Sequence, residues 1–170
     1  MEKLNKNGVF RKSSRVGNIN KLIKMKIKSL IVVLSLILSS CASTFQYNKI
    51  VQPNSNDKEM ATIYILRPSS FGSAIKFRIC QDEKLIGKLG PKSYLAWIVK
   101  PDGKELTIMS KSENKDILTI NPQPGKTYYI KQKVKMGIAR ARTGLEFIDE
   151  NEGKDTLRKL KAPKSKYTES

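Results

Sequence analysis

Lys126-Thr-Tyr-Tyr-Ile-Lys-Gln-Lys-Val-Lys135 alternates strictly. Thr127, Tyr129, Lys131, Lys133 and Lys135 fall on one side, and Tyr128, Ile130, Gln132 and Val134 on the other. A period of two over ten residues is the signature of a strand with one face on a core. Pro122-Gln-Pro-Gly125 precedes it, with Pro124 and Gly125 suited to the second and third positions of a type II turn. The same grammar extends outward in both directions. Ala61-Thr-Ile-Tyr-Ile-Leu-Arg67 is β-branched and aromatic and stops at Pro68. Ile75–Gln81 alternates, with Ile75, Phe77 and Ile79 opposite Lys76, Arg78 and Cys80, and Asp82-Glu83 turns it into Lys84–Leu89. Tyr94–Val99, Glu105–Ser110, Asp116–Ile120 and roughly Ile138–Phe147 complete the set. About eight short strands with turn signals between them predict a mainly β domain, an antiparallel sandwich or barrel, over residues 60–161. One C-terminal helix closes it. Asp149 is placed to cap that helix with Glu152 three residues on, Leu157 and Leu160 give an apolar stripe, and Pro163 ends it. Residues 162–170 read as a polar tail.

Upstream the grammar changes. The chain has 170 residues, 33 Lys+Arg, 15 Asp+Glu and no His, for a net charge of +18. Residues 1–40 hold nine of the basic residues and one acid, Glu2, a net of +8. An apolar run from Leu30 to Leu38 follows, then Ser39-Ser40-Cys41. A basic segment, a short apolar core and small residues make a secretory signal peptide, preceding the β domain. The run is far short of the roughly 20 apolar residues that span a bilayer as a helix. Read from Met25, the peptide over residues 25–40 is a compact signal, so residues 1–24 are expected to be an over-extended start or a long basic leader. Residues 41–59, polar and Asn-rich, read as a tether reaching roughly 20–25 Å as a flexible coil.

Leu38-Ser39-Ser40-Cys41 resembles the bacterial lipobox. The resemblance implies cleavage between Ser40 and Cys41, diacylglycerol on the Cys41 thiol as the link to the membrane, and further acylation by a palmitate-like chain. With two or three chains, such anchoring is stable. Ala42 rather than Asp after the cysteine leans toward the outer membrane, facing the periplasm, in a Gram-negative cell. Ile63-Tyr-Ile-Leu-Arg67-Pro68, Leu85-Ile-Gly87, Tyr94 and Pro124-Gly125-Lys-Thr-Tyr128-Tyr129 resemble the family called domain of unknown function 2846, a β-rich domain of bacterial lipoproteins. That likeness implies the fold and brings no activity.

The absence of His excludes a His-assisted nucleophile, a His-ligated metal and a His proton shuttle. No catalytic set, metal site or cofactor site is expected. Cys80 is the one cysteine left once Cys41 is acylated, and reads as a strand residue. Asp149, Glu152 and Asp155 lack calcium-loop spacing. Gly125-Lys126-Thr127 lacks the first glycine and the helix of a phosphate loop. Tyr64, Tyr94, Trp97, Tyr128 and Tyr129 read mainly as core, with an outer one or two open to stacking. Lys131, Lys133 and Lys135 on one strand and Arg140 and Arg142 on the next would form a basic ladder. Such a ladder suits anionic envelope polymers or headgroups, or else guards a sheet edge. The expectation is a lipid-anchored cell-envelope protein whose β domain binds or scaffolds, with anionic polymers or another envelope protein as partner. The rivals are an envelope enzyme or transfer factor with an unidentified pocket, and a cytoplasmic basic nucleic-acid binder. An exported domain disfavours the last, and nucleic acid is not expected as a partner.

Overall fold

The computed structural model describes residues 43–49 and 58–168. The signal peptide, Cys41 and residues 50–57 of the expected tether lie outside them. The fold is mainly β, with two sheets and one C-terminal helix. In chain order the elements are β1 (Phe45–Gln46), β2 (Ala61–Arg67), β3 (Phe77–Gln81), β4 (Lys84–Leu89), β5 (Ser93–Val99), β6 (Leu106–Lys111), β7 (Lys115–Ile120), β8 (Thr127–Lys135), β9 (Arg142–Ile148), α1 (Glu150–Leu157) and β10 (Lys164–Ser165). The larger sheet runs β10-β1-β4-β3-β6-β7 and the smaller β5-β2-β8-β9.

Two of these pairings correct the expected all-antiparallel arrangement: β2 with β8, and β1 with β10, are parallel. The β2–β8 pair has a clear cause. β2 is buried on both faces, all but Thr62 of its seven residues, and so reads as a near-continuous apolar run suited to a sheet centre. Ile63 and Ile65 point between the sheets at Leu95, Trp97, Ile79, Ile108, Ile130 and Leu145. Tyr64 and Leu66 point outward, where Tyr94, Ala96 and Tyr129 are covered by Leu157 and Leu160. Helix α1 is therefore a third layer on the smaller sheet. Gly153 makes its close approach possible, because a Cβ there would stand 2.2 Å from Cγ of Tyr129.

The tether and the tail are also shorter than expected. Gln46 and Thr44 are buried, β1 pairs with Gly87 and Lys88 of β4, and β10 adds to its other side. Gly87 is what admits β1: a Cβ there would lie 2.5 Å from the carbonyl oxygen of Phe45. The last strand begins at Arg142 rather than Ile138, and the helix ends at Leu157 rather than at Lys161. The turns are as read. Asp82 and Glu83 both have positive φ in a two-residue hairpin. Gly125 has φ 70°, with Lys126 N–H donating to Gln123 O. Asp149 caps α1 by accepting from the amides of Asn151 and Glu152.

Side chains close both open seams between the sheets. On one, the buried Gln46 amide accepts from Ala96 N–H at 2.9 Å and donates to Ala96 O at 2.6 Å, behaving as a strand partner for the edge of β5. On the other, Asn114 accepts from Thr143 N–H at 2.8 Å and donates to Thr143 O at 2.9 Å, and Asp116 accepts from Leu145 N–H at 2.5 Å.

Two substitutions test these joints by chemical denaturation. Gln46→Leu keeps bulk but strands the Ala96 amide and carbonyl, and is expected to cost about 1–3 kcal/mol for each group left unpaired. Gly153→Ala gains about 1 kcal/mol of helix propensity. The contact with the Tyr129 ring costs about 1–3 kcal/mol or more in overpacking, so the net is a loss of stability. A stabilised Gly153→Ala would show that the helix stands off the sheet.

Candidate functional site

Because β2 and β8 run parallel, both end at the same end of the sandwich. The loops that follow them, residues 68–76 and 136–141, meet there. Arg67, the last residue of β2, builds the first loop. It is wholly buried, and Nη1 donates to the carbonyls of Ile75 at 2.7 Å and Leu89 at 3.2 Å. Nη2 donates to Phe71 and Gly72, both at 2.9 Å, and the guanidinium stacks over the Phe77 ring at 4.7 Å. Nε has no partner. Burial lowers the Arg67 pKa from 12.5 to about 10, which leaves it charged at neutral pH.

Glu113 builds the second loop. Its carboxylate accepts from the amides of Arg140 at 2.8 Å, Ala139 at 3.0 Å and Ile138 at 3.2 Å, and from Arg142 Nε at 3.3 Å. Those bonds, the Arg140 amide foremost, hold its pKa down from 4.5 to about 2. Three amides turned toward one anion pull residues 138–140 out of β9, which is why the strand starts late.

The loops leave a small apolar cleft lined by Phe71, Ile75, Met136, Ile138 and Arg140. Across the 68–76 loop lies a second cavity of about 400 Å³, between Ser43, Ser70, Ser73, Lys92, Lys159 and Lys161. Helix α1 and the segment after it return to this end, where Lys161 N–H donates to Lys92 O. A third cleft, about 350 Å³, lies at the opposite end beside Gln81, Asp82, Trp97, Asp102 and Glu105. There Asp82 accepts from the Thr107 amide at 2.8 Å, and Trp97 Nε1 donates to Gln81 at 2.7 Å.

The expected basic ladder has acidic neighbours. Lys131, Lys133, Lys135 and Arg142 do share a face of the β8–β9 pair. Lys131 pairs with Glu152 at 2.7 Å, Lys133 with Glu146, and Arg142 with Glu113 at 3.3 Å. The stripe is thus charge-balanced by acids that only the fold brings near. Arg140 is on the loop and not on a strand. Among the described residues, Lys135 and Arg140 have no carboxylate within ion-pair distance.

The family-motif residues have local reasons. Arg67 and Pro68 form and follow the clamp. Gly125 makes the turn. The Tyr128 hydroxyl donates to Asn121 O and accepts from Gln123 N–H, fixing that turn to its strand. Tyr129 stacks on Tyr64 at 5.2 Å beneath α1. Tyr64, Tyr94, Trp97 and Tyr129 are buried, so no stacking platform opens outward from them. Burial pushes the Tyr64 hydroxyl up to about 12. Cys80 is buried in β3, and Ser40 and Cys41 lie outside the described residues. The end face itself was missed by sequence reasoning. Its one signal was two loops, Ser69–Lys76 and Met136–Ala141, each carrying unpaired apolar residues beside cations.

The chain is 33% identical over 135 residues to an uncharacterized protein of Haemophilus influenzae, a match that covers 76% of this chain and 80% of that protein. No family model matches the chain, and no solved structure matches it significantly.

The Glu113 clamp makes a pH prediction. Its folded pKa is depressed, so its contribution is full above about pH 4.5 and is lost as pH falls toward 2. Glu113→Gln should melt at a lower temperature than wild type at pH 7, and the gap should close between pH 4.5 and 2. A gap independent of pH would show that the carboxylate does not hold the loop by its charge.

Proposed function

The chain belongs to the family of that Haemophilus influenzae protein, and from this premise we propose that it is a lipid-anchored protein of the bacterial cell envelope. Its β domain acts as a binding or structural module rather than as a catalyst. The observation that carries the anchor is Leu38-Ser39-Ser40-Cys41 directly after a basic segment and a nine-residue apolar run. The chemistry that follows is a thioether to diacylglycerol at Cys41 and cleavage before it. In a Gram-negative cell, Ala42 directs the product to the outer membrane, on its periplasmic side. The resemblance to domain of unknown function 2846 agrees with this placement.

The non-catalytic reading is supported by how the acids are used. Asp82, Glu113, Asp116 and Asp149 each accept from main-chain amides. Glu146 and Glu152 pair with lysines. Carboxylates occupied by main-chain amides and lysines serve as fasteners, and Glu113, held low by its donors, stays ionised, which suits a scaffold better than proton transfer.

Metabolic labelling with radioactive palmitate tests the reading. Wild type should incorporate label and fractionate with membranes, whereas Cys41→Ala should take up none and accumulate as a larger, uncleaved precursor. An unlabelled wild-type chain would overturn the anchor.

A further inference from the structure

We propose that the end of the sandwich formed by the loops 68–76 and 136–141 lies directly on the bilayer, with Phe71, Met136 and Ile138 in the interfacial layer and the surrounding cations on anionic lipid headgroups. This rests on the lipid-anchor reading and adds an orientation to it.

Three observations converge. The first is exposure. Ile138 is 93% exposed, Met136 80% and Phe71 50%, and all three line one cleft. Large apolar side chains gathered at a loop tip mark an interaction surface. Arg67 fixes Phe71 through its carbonyl, and Glu113 fixes Ile138 through its amide, so the tip is held open from beneath.

The second is charge. Lys135 and Arg140 flank the tip. Lys92, Lys159, Lys161 and Lys164 line the neighbouring cavity, and among the described residues no acid lines it with them. Lys76 and Lys166 both stand over the Phe45 ring, at 4.9 and 4.7 Å from its centroid. An apolar tip ringed by Lys and Arg is the pattern of interfacial binding to anionic lipid.

The third is the leash. Residues 44–47 are fixed to the domain: Thr44 Oγ1 accepts from Gly90 N–H at 2.7 Å, and Tyr47 N–H donates to Ile86 O at 2.9 Å. Ser43 lines the same cavity as Ser70 and Ser73, on the side of their loop away from the cleft that Phe71 lines. Cys41 is two residues before Ser43, a span of at most about 7 Å. A lipid on Cys41 therefore brings this end, and not the opposite one, to the headgroups. A tether of eighteen residues would have left the orientation free; one of two residues does not.

The full-length lipidated chain carries the test. In a Cys80→Ser background, one cysteine is placed at Ile138 or at Lys104, which is in the loop at the opposite end, and labelled with an environment-sensitive fluorophore. The protein is reconstituted into vesicles of phosphatidylethanolamine and phosphatidylglycerol, floated on a gradient, and challenged with spin-labelled lipid or with aqueous iodide. The expected result is a floating protein whose label at 138 is blue-shifted, quenched by the lipid and protected from iodide, while the label at 104 behaves oppositely. Lys135→Glu with Arg140→Glu should bring lipid quenching at 138 toward the level at 104. A floating protein with equal signals at both sites overturns the docking and leaves the anchor standing. A label at 138 shielded from iodide yet untouched by spin-labelled lipid overturns it in favour of a protein partner or a second copy. A chain that does not float overturns both.

Discussion

The buried guanidinium of Arg67 is the constraint on which this architecture turns. Taking an arginine out of water is costly, and a wholly buried one is ordinarily matched by a carboxylate. Here four main-chain carbonyls and an aromatic face do the work instead. Carbonyl dipoles satisfy the four Nη contacts without cancelling the charge; burial lowers the pKa to about 10, and the group stays cationic. The compensation also runs the other way. The carbonyls of Phe71, Gly72, Ile75 and Leu89 come from an irregular loop and from the end of β4, and without Arg67 each would lose its guanidinium donor, Gly72 keeping only the bond from Ile75 N–H. Lysine could not replace it, since a point charge with three donors cannot meet four acceptors spread around a planar fork.

Fixing that loop has consequences on both sides of it. Gly72, with φ 64°, packs toward Ala141 and Val134, so the loop after β2 rests on the loop after β8. Ser70 and Ser73 face Ser43 across a shared cavity. Glu113 is the complementary fastener, an anion held by amides where Arg67 is a cation held by carbonyls. Together with Gln46 and Asn114, these residues supply by side chain the hydrogen bonds that a continuous ladder would supply by backbone. That is how two sheets with open seams behave like a closed barrel, and it explains why edges that would otherwise invite strand addition are occupied.

Much of this was legible in the sequence because it is local. Alternation in Lys126–Lys135, the Pro124-Gly125 turn, the Asp82-Glu83 hairpin and the Asp149 cap all depend on residues within a few positions, and all stand as read. What was not legible depends on partners far away in the chain. Period two says that β2 and β8 are strands, but not that they lie side by side and parallel. Phe45-Gln46 looked like tether because two residues have no period. Its role comes from Gly87 and Ala96, some forty to fifty positions on. The acid partners of the basic ladder were hidden for the same reason: Lys131 and Lys133 alternate as read, but Glu152 and Glu146 reach them only through the folding of β9 and α1.

The charge shows most plainly what pairing in space changes. A net of +18 suggests a basic protein everywhere. Eight of those units precede Cys41, and on the described strands the acids neutralise much of the rest. The positive character that remains collects where three chain segments end together: the loop after β8, the segment after α1 and the turn before β5. None of these segments is notable alone. Lys135, Arg140, Lys159 and Lys161 are scattered over nearly thirty positions, interleaved with acids that face other ways. Only the parallel register of β2 with β8, and the return of α1 along the smaller sheet, gathers them beside Phe71 and Ile138. Arg67 and Glu113 are spent on that arrangement, yet neither contacts solvent broadly or carries chemistry of its own. A buried cation held by four carbonyls and an anion held by three amides thus serve to present an end face that is apolar at its tip and cationic around it.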